Sequence, residues 1–232
     1  MRDKNADQGF RKFWPLMKSM TWKERIQHIF YYYAKYALLA AFLIYLGVSL
    51  AVDMFSPSPT MLLSGATVNV SISDDMKLTL VEDAFVAMGG TDRNKQAVSL
   101  TPYQVTGPEL DSSSTYMALQ GEIGAYQYHY VITDQTGLDL LVSMPALSDL
   151  SMVLSEEKQA LLQDRLVMDT LGGKTVPLAI DIRGTALAAA CTYNGKDNGE
   201  GLFLGFPVSE KDFPVAEAFL DFLIDKELLE IQ

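Results

Sequence analysis

The chain holds one cysteine and two histidines in 232 residues. Cys191 has no partner for an internal disulfide, so the fold must rest on packing. His28 and His129 are too few for a histidine-rich metal site, and Asp74-Asp75 lacks the spaced oxygen ligands of a calcium loop. No metal and no cofactor are therefore expected. Basic residues are scarce after residue 52, ten against 26 acidic, which argues against nucleic acid, whose phosphates need Lys and Arg. Nucleophile signatures are also missing. There is no Gly-x-Ser-x-Gly, and Ser155-x-x-Lys158 lacks the companion motifs of serine acylating enzymes. Ser155 reads better as an N-cap followed by acidic residues. Gly172-Gly173-Lys174-Thr175 resembles the end of a phosphate-binding loop, but Met168 stands where the first glycine belongs. It also reads as a helix-to-strand joint, whereas such a loop leads from strand to helix. An enzyme is not expected.

What the sequence does have is a long apolar run. Residues 36–52 contain no charge and are rich in Ala, Leu, Ile and Phe. About 20 residues cross a hydrocarbon core of about 30 Å, and Tyr31 to Tyr33 suit the interface at one end. Residues 34–55 are expected to form a transmembrane helix. Eight basic and three acidic residues precede Tyr36, a net +5, while residues 53–232 carry −16. Basic flanks stay in the cytoplasm, so the N-terminus is expected inside and the acidic bulk outside. Ser49-Leu50-Ala51 could serve as a cleavage site after Ala51. Signal peptides, however, open with a short basic region and a shorter apolar run, so an uncleaved signal-anchor is the expectation.

Residues 1–33 read as a basic cytoplasmic leader. Thr21-Trp22-Lys23-Glu24 fits a capping box. Trp22, Ile26, Ile29, Phe30 and Tyr33 recur at helical spacing behind it. This amphipathic helix suits an anionic leaflet; docking to a cytoplasmic partner is the alternative. Residues 56–65, with Pro57 and Pro59, read as a stiff linker.

Residues 66–232 suffice for one domain with a real core. Strands are expected over 66–72, 96–105, 128–132, 176–182 and 202–206. Helices are expected over 74–88, 111–123, 134–142 and 155–166, with a last one from near Asp212. In that last helix Val215, Ala218, Phe219, Phe222 and Leu223 form an apolar stripe. Alternating strands and helices imply an α/β domain with a largely parallel sheet, which binds ligands at the carboxyl ends of its strands. Cys191 closes the apolar run 186–191 and should be a buried small residue.

The succession NVSI, MALQGEIG, YVITD, LSDLSMVLS and AEAFLDFLI resembles periplasmic solute-binding domains. With the YYYAKY leader, it is similar to single-pass membrane proteins of Gram-positive gut bacteria that carry such a domain in shortened form. The resemblance implies an α/β lobe and an abbreviated second lobe around residues 150–200.

Two clusters are candidate ligand-binding residues. Tyr126, Tyr128 and Tyr130 alternate, so in one strand their rings share a face, with His129 opposite. That ladder could line a groove or simply pack against a helix. Ser112 and Ser113, ahead of Ser114 and Thr115, open a helix whose free amides could hold an anion or be capped. The expected role is non-catalytic interaction or scaffolding at the cell surface, in contact with the bilayer and beside another membrane protein. A tethered receptor for a small solute is the alternative, and an extracytoplasmic hydrolase the third.

Overall fold

The computed structural model describes residues 21–55, 59–105, 114–193 and 201–230. The chain divides after Pro57 into two compact units.

The first unit is built on helix α1, Trp22–Phe55, of 34 residues. It begins where the capping box places it. Only half of the box forms: the amide and hydroxyl of Thr21 both donate to the Glu24 carboxylate, at 2.9 and 2.8 Å. Every side chain from 38 to 51 is exposed, Leu38 by 72% and Ile44 by 67%. Among the described residues no helix is long and apolar enough to cross a membrane. The unbroken stretch of α1 whose side chains are described, 38–51, covers about 21 Å at about 1.5 Å per residue.

The second unit is mixed α/β around a six-stranded sheet. Its strands are β1 (Thr60–Val68), β3 (Gln96–Tyr103), β4 (Tyr130–Asp134), β5 (Leu166–Leu171), β6 (Lys174–Asp181) and β8 (Leu202–Gly205), in the order β3-β1-β4-β8-β6-β5. Two short strands, β2 (Val70–Ile72) and β7 (Cys191–Tyr193), pair antiparallel outside it. β1 starts at Thr60, inside the expected linker 56–65. The single expected strand over 66–72 is instead two, because Asn69 between them takes φ +59°.

Only two of the five strand pairings in the sheet are parallel, against the expectation of a largely parallel one. β3, β1 and β4 run parallel, whereas β8, β6 and β5 pair antiparallel. Local chain length decides this. Parallel neighbours need a crossover, supplied here by α2 (Asp74–Leu78) and α3 (Ala84–Ala87), joined by a π-helical turn over Thr79–Asp83, and by α4 (Ser114–Gly124). Between β5 and β6 lie only Gly172 and Gly173, at φ +59° and +83°. Two successive left-handed residues make a tight hairpin turn that glycine enters without steric cost. The Gly-Gly-Lys-Thr segment thus joins strand to strand, not helix to strand. Residues 150–200, where a second lobe was expected, send β5 and β6 into this same sheet.

The remaining helices are α5 (Gln135–Ser143), α6 (Leu150–Val153), α7 (Glu156–Leu161), α8 (Ala186–Ala189) and α9 (Phe213–Asp225). The helix expected over 155–166 is therefore shorter, and β5 begins at its expected last residue. The cap of α2 is Ser73, whose hydroxyl accepts the Met76 amide at 3.4 Å, while Asp74 and Asp75 occupy the first turn. Ser155 sits at the N-cap of α7 without a side-chain cap bond. Lys158 is tied to Glu217 and Asp221 of α9, each at 2.9 Å, which gives the Ser-x-x-Lys pair a packing role.

Two cores lie on opposite faces of the sheet. One unites Leu63, Tyr130, Ile132, Ile180 and Leu204 with Leu80, Phe85, Phe219 and Leu223. The other unites Ala66, Val68, Val131 and Phe203 with Leu119, Ile123, Leu138 and Leu141. β4 is buried along its whole length, as a central strand covered on both faces must be. In α9 the buried residues are Ala216, Phe219, Leu220, Phe222 and Leu223, while Ala218 of the expected stripe is exposed.

Candidate functional site

In a sheet ordered like β3-β1-β4, ligands are expected at the carboxyl ends of β1 and β4, where successive strands turn to opposite sides. In this protein side chains fill that crevice. Asn69 follows β1, and its amide continues the ladder by donating to the Tyr103 carbonyl at 2.9 Å. Its side-chain oxygen accepts the Val105 amide at 2.7 Å, and its Nδ2 donates to Asp134 Oδ1 at 3.2 Å. Asp134 ends β4 and caps α5, where Oδ1 also accepts the Gly137 amide at 2.8 Å. Asn69 is 1% exposed and Asp134 fully buried. Burying a carboxylate is costly unless it is hydrogen-bonded, so this pair is a plug that fastens three strands together. β2 follows Asn69 directly in the chain and pairs antiparallel with β7.

The tyrosines do not form a ladder. β4 begins only at Tyr130, so the period-two rule does not reach back to Tyr126 or Tyr128. Tyr126 lies in a turn at φ +52° and is exposed. Tyr128 packs into the core shared with α4 and α5, whereas Tyr130 packs into the core on the other face. There its ring stacks on Phe219 with centroids 4.0 Å apart. Ser112 and Ser113 lie outside the described residues; α4 starts at Ser114.

Tyr128 instead joins a cluster that the sequence pattern does not announce. The hydroxyls of Tyr103 and Tyr128 both donate to the Glu122 carboxylate of α4. They also lie 2.6 Å from each other, with their rings edge to face. The two phenol donors, Tyr103 first, hold the Glu122 carboxyl below its usual range. Burial, more than the carboxylate, pushes both phenols up. Such phenols stay protonated donors, and the arrangement clamps α4 to the sheet.

A serine and a histidine also meet, from opposite ends of a long sequence separation. His129 Nδ1 lies 3.1 Å from Ser64 Oγ. This is not an activated nucleophile. The Ser64 hydroxyl donates to the Gln127 carbonyl, and Nδ1 already accepts the Ser64 amide at 3.0 Å. Ser64 is 2% exposed, out of reach of a substrate.

The described residues also line two open depressions. One, of about 250 Å³, is lined by Gln120, Ile123, Tyr126, Met144, Pro145 and Ala146. The other, of about 160 Å³, is lined by Thr67, Ser71, Asp74, Lys77, Leu100 and Pro102. Both are smaller than the roughly 300–1,000 Å³ of typical ligand pockets. Among the described residues no three His, Cys, Asp or Glu side chains converge as a metal site would require. Cys191 is half-buried, its thiol donating to the Leu187 carbonyl at 3.2 Å and pushed by burial up to about 11. No family model, curated protein or solved structure matches this chain.

Proposed function

We propose that this chain is a single-pass membrane protein with a cytoplasmic N-terminus, presenting residues 59–232 outside the cell as a non-catalytic interaction domain. One observation carries the reading: an uncharged apolar stretch of α1, exposed all along residues 38–51, separates a +5 leader from a −16 remainder. A helix that is apolar all round needs an apolar surrounding. The 17 residues of 36–52 reach the lower limit of about 17 for a span, and the interfacial tyrosines lengthen it. Interaction rather than catalysis is supported by the Asn69–Asp134 plug, which occupies the crevice where an open α/β sheet would seat a substrate.

Protease added to intact cells tests the topology. The acidic unit should be degraded while the leader survives, and protection of that unit until lysis overturns the proposal. Crosslinking in membranes should then capture defined protein neighbours; a chain that is cleanly monomeric and uncrosslinked refutes the scaffolding role.

The second reading, a tethered receptor related to solute-binding domains, is favoured by the depression beside Tyr126. It requires a later melt of the full chain with some member of a panel of sugars, amino acids and peptides. No shift across the panel removes it.

A further inference from the structure

We infer that His129 is an acid-sensitive latch on the first half of β1. The inference is independent of what the domain binds. β4 pairs with β1 only from Tyr130, opposite Gly65. One residue earlier the ladder is completed by the imidazole itself: the His129 amide donates to the Ser64 carbonyl at 2.7 Å, and the Ser64 amide donates back to His129 Nδ1 at 3.0 Å.

The return bond dictates the state of the ring. A nitrogen that accepts an N–H carries no proton, so the neutral ring is protonated on Nε2. Adding a proton to Nδ1 would set two donors against each other across 3.0 Å. The Ser64 hydroxyl, 3.1 Å away, has lone pairs that could take that proton. The Ser64 amide hydrogen cannot turn aside while β1 holds its register. Protonation must therefore either expel the ring or loosen residues 60–64, the part of this unit nearest in sequence to α1.

The surroundings set the threshold. His129 is half-buried. The charged groups that act on it are Asp212 and Lys211, both in the 3-10 turn Glu210–Asp212 that leads into α9. From β1 it meets the uncharged Ser64, through both its amide and its hydroxyl. Burial, assisted by Lys211, holds the imidazole below its ordinary value; the Asp212 carboxylate and the Ser64 carbonyl, an acceptor that favours the charged ring, oppose it only in part. The sign follows: the latch is fully closed above the unfolded value of about 6.5 and opens as pH falls through the lower folded value.

The test is NMR on the full chain carrying His28→Gln, which leaves His129 as the sole histidine. At about pH 7.5 the ¹⁵N shifts should report a proton on Nε2 alone, with a titration midpoint below about 6.5. Ser64 amide exchange, corrected for its intrinsic rate, should accelerate by up to about tenfold per pH unit below that midpoint. Val131, within β4, should change less. His129→Asn, whose Oδ1 can accept the same amide and cannot be protonated, should fold and lose the acid response. His129→Phe should show fast Ser64 exchange at every pH. A proton on Nδ1 at neutral pH, or Ser64 protection that does not respond to His129 titration, overturns the latch.

Discussion

Replacing Gly65 by alanine probes how firmly Tyr130 is held. An added Cβ would lie 2.1 Å from Tyr130 Cζ and 2.5 Å from both Cε atoms. Carbon atoms settle at about 3.5–4.0 Å, so the ring must withdraw by more than about 1 Å. It has no free direction: Tyr130 is fully buried, and Phe219 is stacked on it at 4.0 Å with 21° between the planes. Phe219 in turn stacks on Phe222 at 6.0 Å, within α9. Overpacking against a pinned side chain costs about 2–3 kcal/mol. For a unit of this size the melting temperature should fall by about 5–10 °C. Urea unfolding of the full chain, followed by far-ultraviolet circular dichroism, measures it. The same substitution in a Tyr130→Leu background should cost under about 0.5 kcal/mol, because the ring's far end is then gone. An equal penalty in both backgrounds, or none in either, would refute the close approach as the cause. Tyr130→Phe is a further check. The Tyr130 hydroxyl has no hydrogen-bond partner among the described residues, so removing it should stabilise the fold by about 1 kcal/mol.

Three more outcomes can be measured. Asn69→Ala loses the acceptor for Val105 and the donor to Asp134 and strains a left-handed position; it should cost about 2–4 kcal/mol in urea unfolding. Asn69→Gly relieves only the strain and should restore only a fraction. The Glu122 carboxyl, lowered by Tyr103 and then Tyr128, contributes stability above its unfolded value of about 4.3 that disappears as pH falls through the folded value. The double change Tyr103→Phe with Tyr128→Phe should flatten the loss of melting temperature between about pH 6 and pH 3. Cys191, with its thiol raised to about 11, should resist a thiol reagent at neutral pH until the chain is unfolded.

Local elements were readable where the side-chain period is strong. The start of α1 at Trp22 follows from its capping residues, and α5 falls within one residue of the helix expected over 134–142, whereas the strand expected over 128–132 lies two residues later, at Tyr130–Asp134. The site was read far less well. Three alternating tyrosines imply a shared face only if all lie in one strand. Here Tyr126 takes a left-handed turn and Tyr128 and Tyr130 end in separate cores. β5 was hidden because Leu166 and Val167 extend the apolar spacing of the helix before them. Asn69 in an alternating NVSI run looked like an ordinary strand residue, yet Asn is one of the few non-glycine types that tolerates φ near +60°. Ser64 and His129, 65 residues apart, carry no shared signature.

The sequence by itself determined where charge and apolar side chains fall along the chain, and hence the faces each helix and strand must bury. Those depend on spacing over a few residues, which the order of amino acids records directly. Only the tertiary structure decided the direction of β8, the filling of the carboxyl-end crevice by Asn69 and Asp134, and the meeting of His129 with Ser64. These arise from how distant segments pack, an outcome chosen by the summed burial and hydrogen bonding of the whole unit rather than by any local stretch.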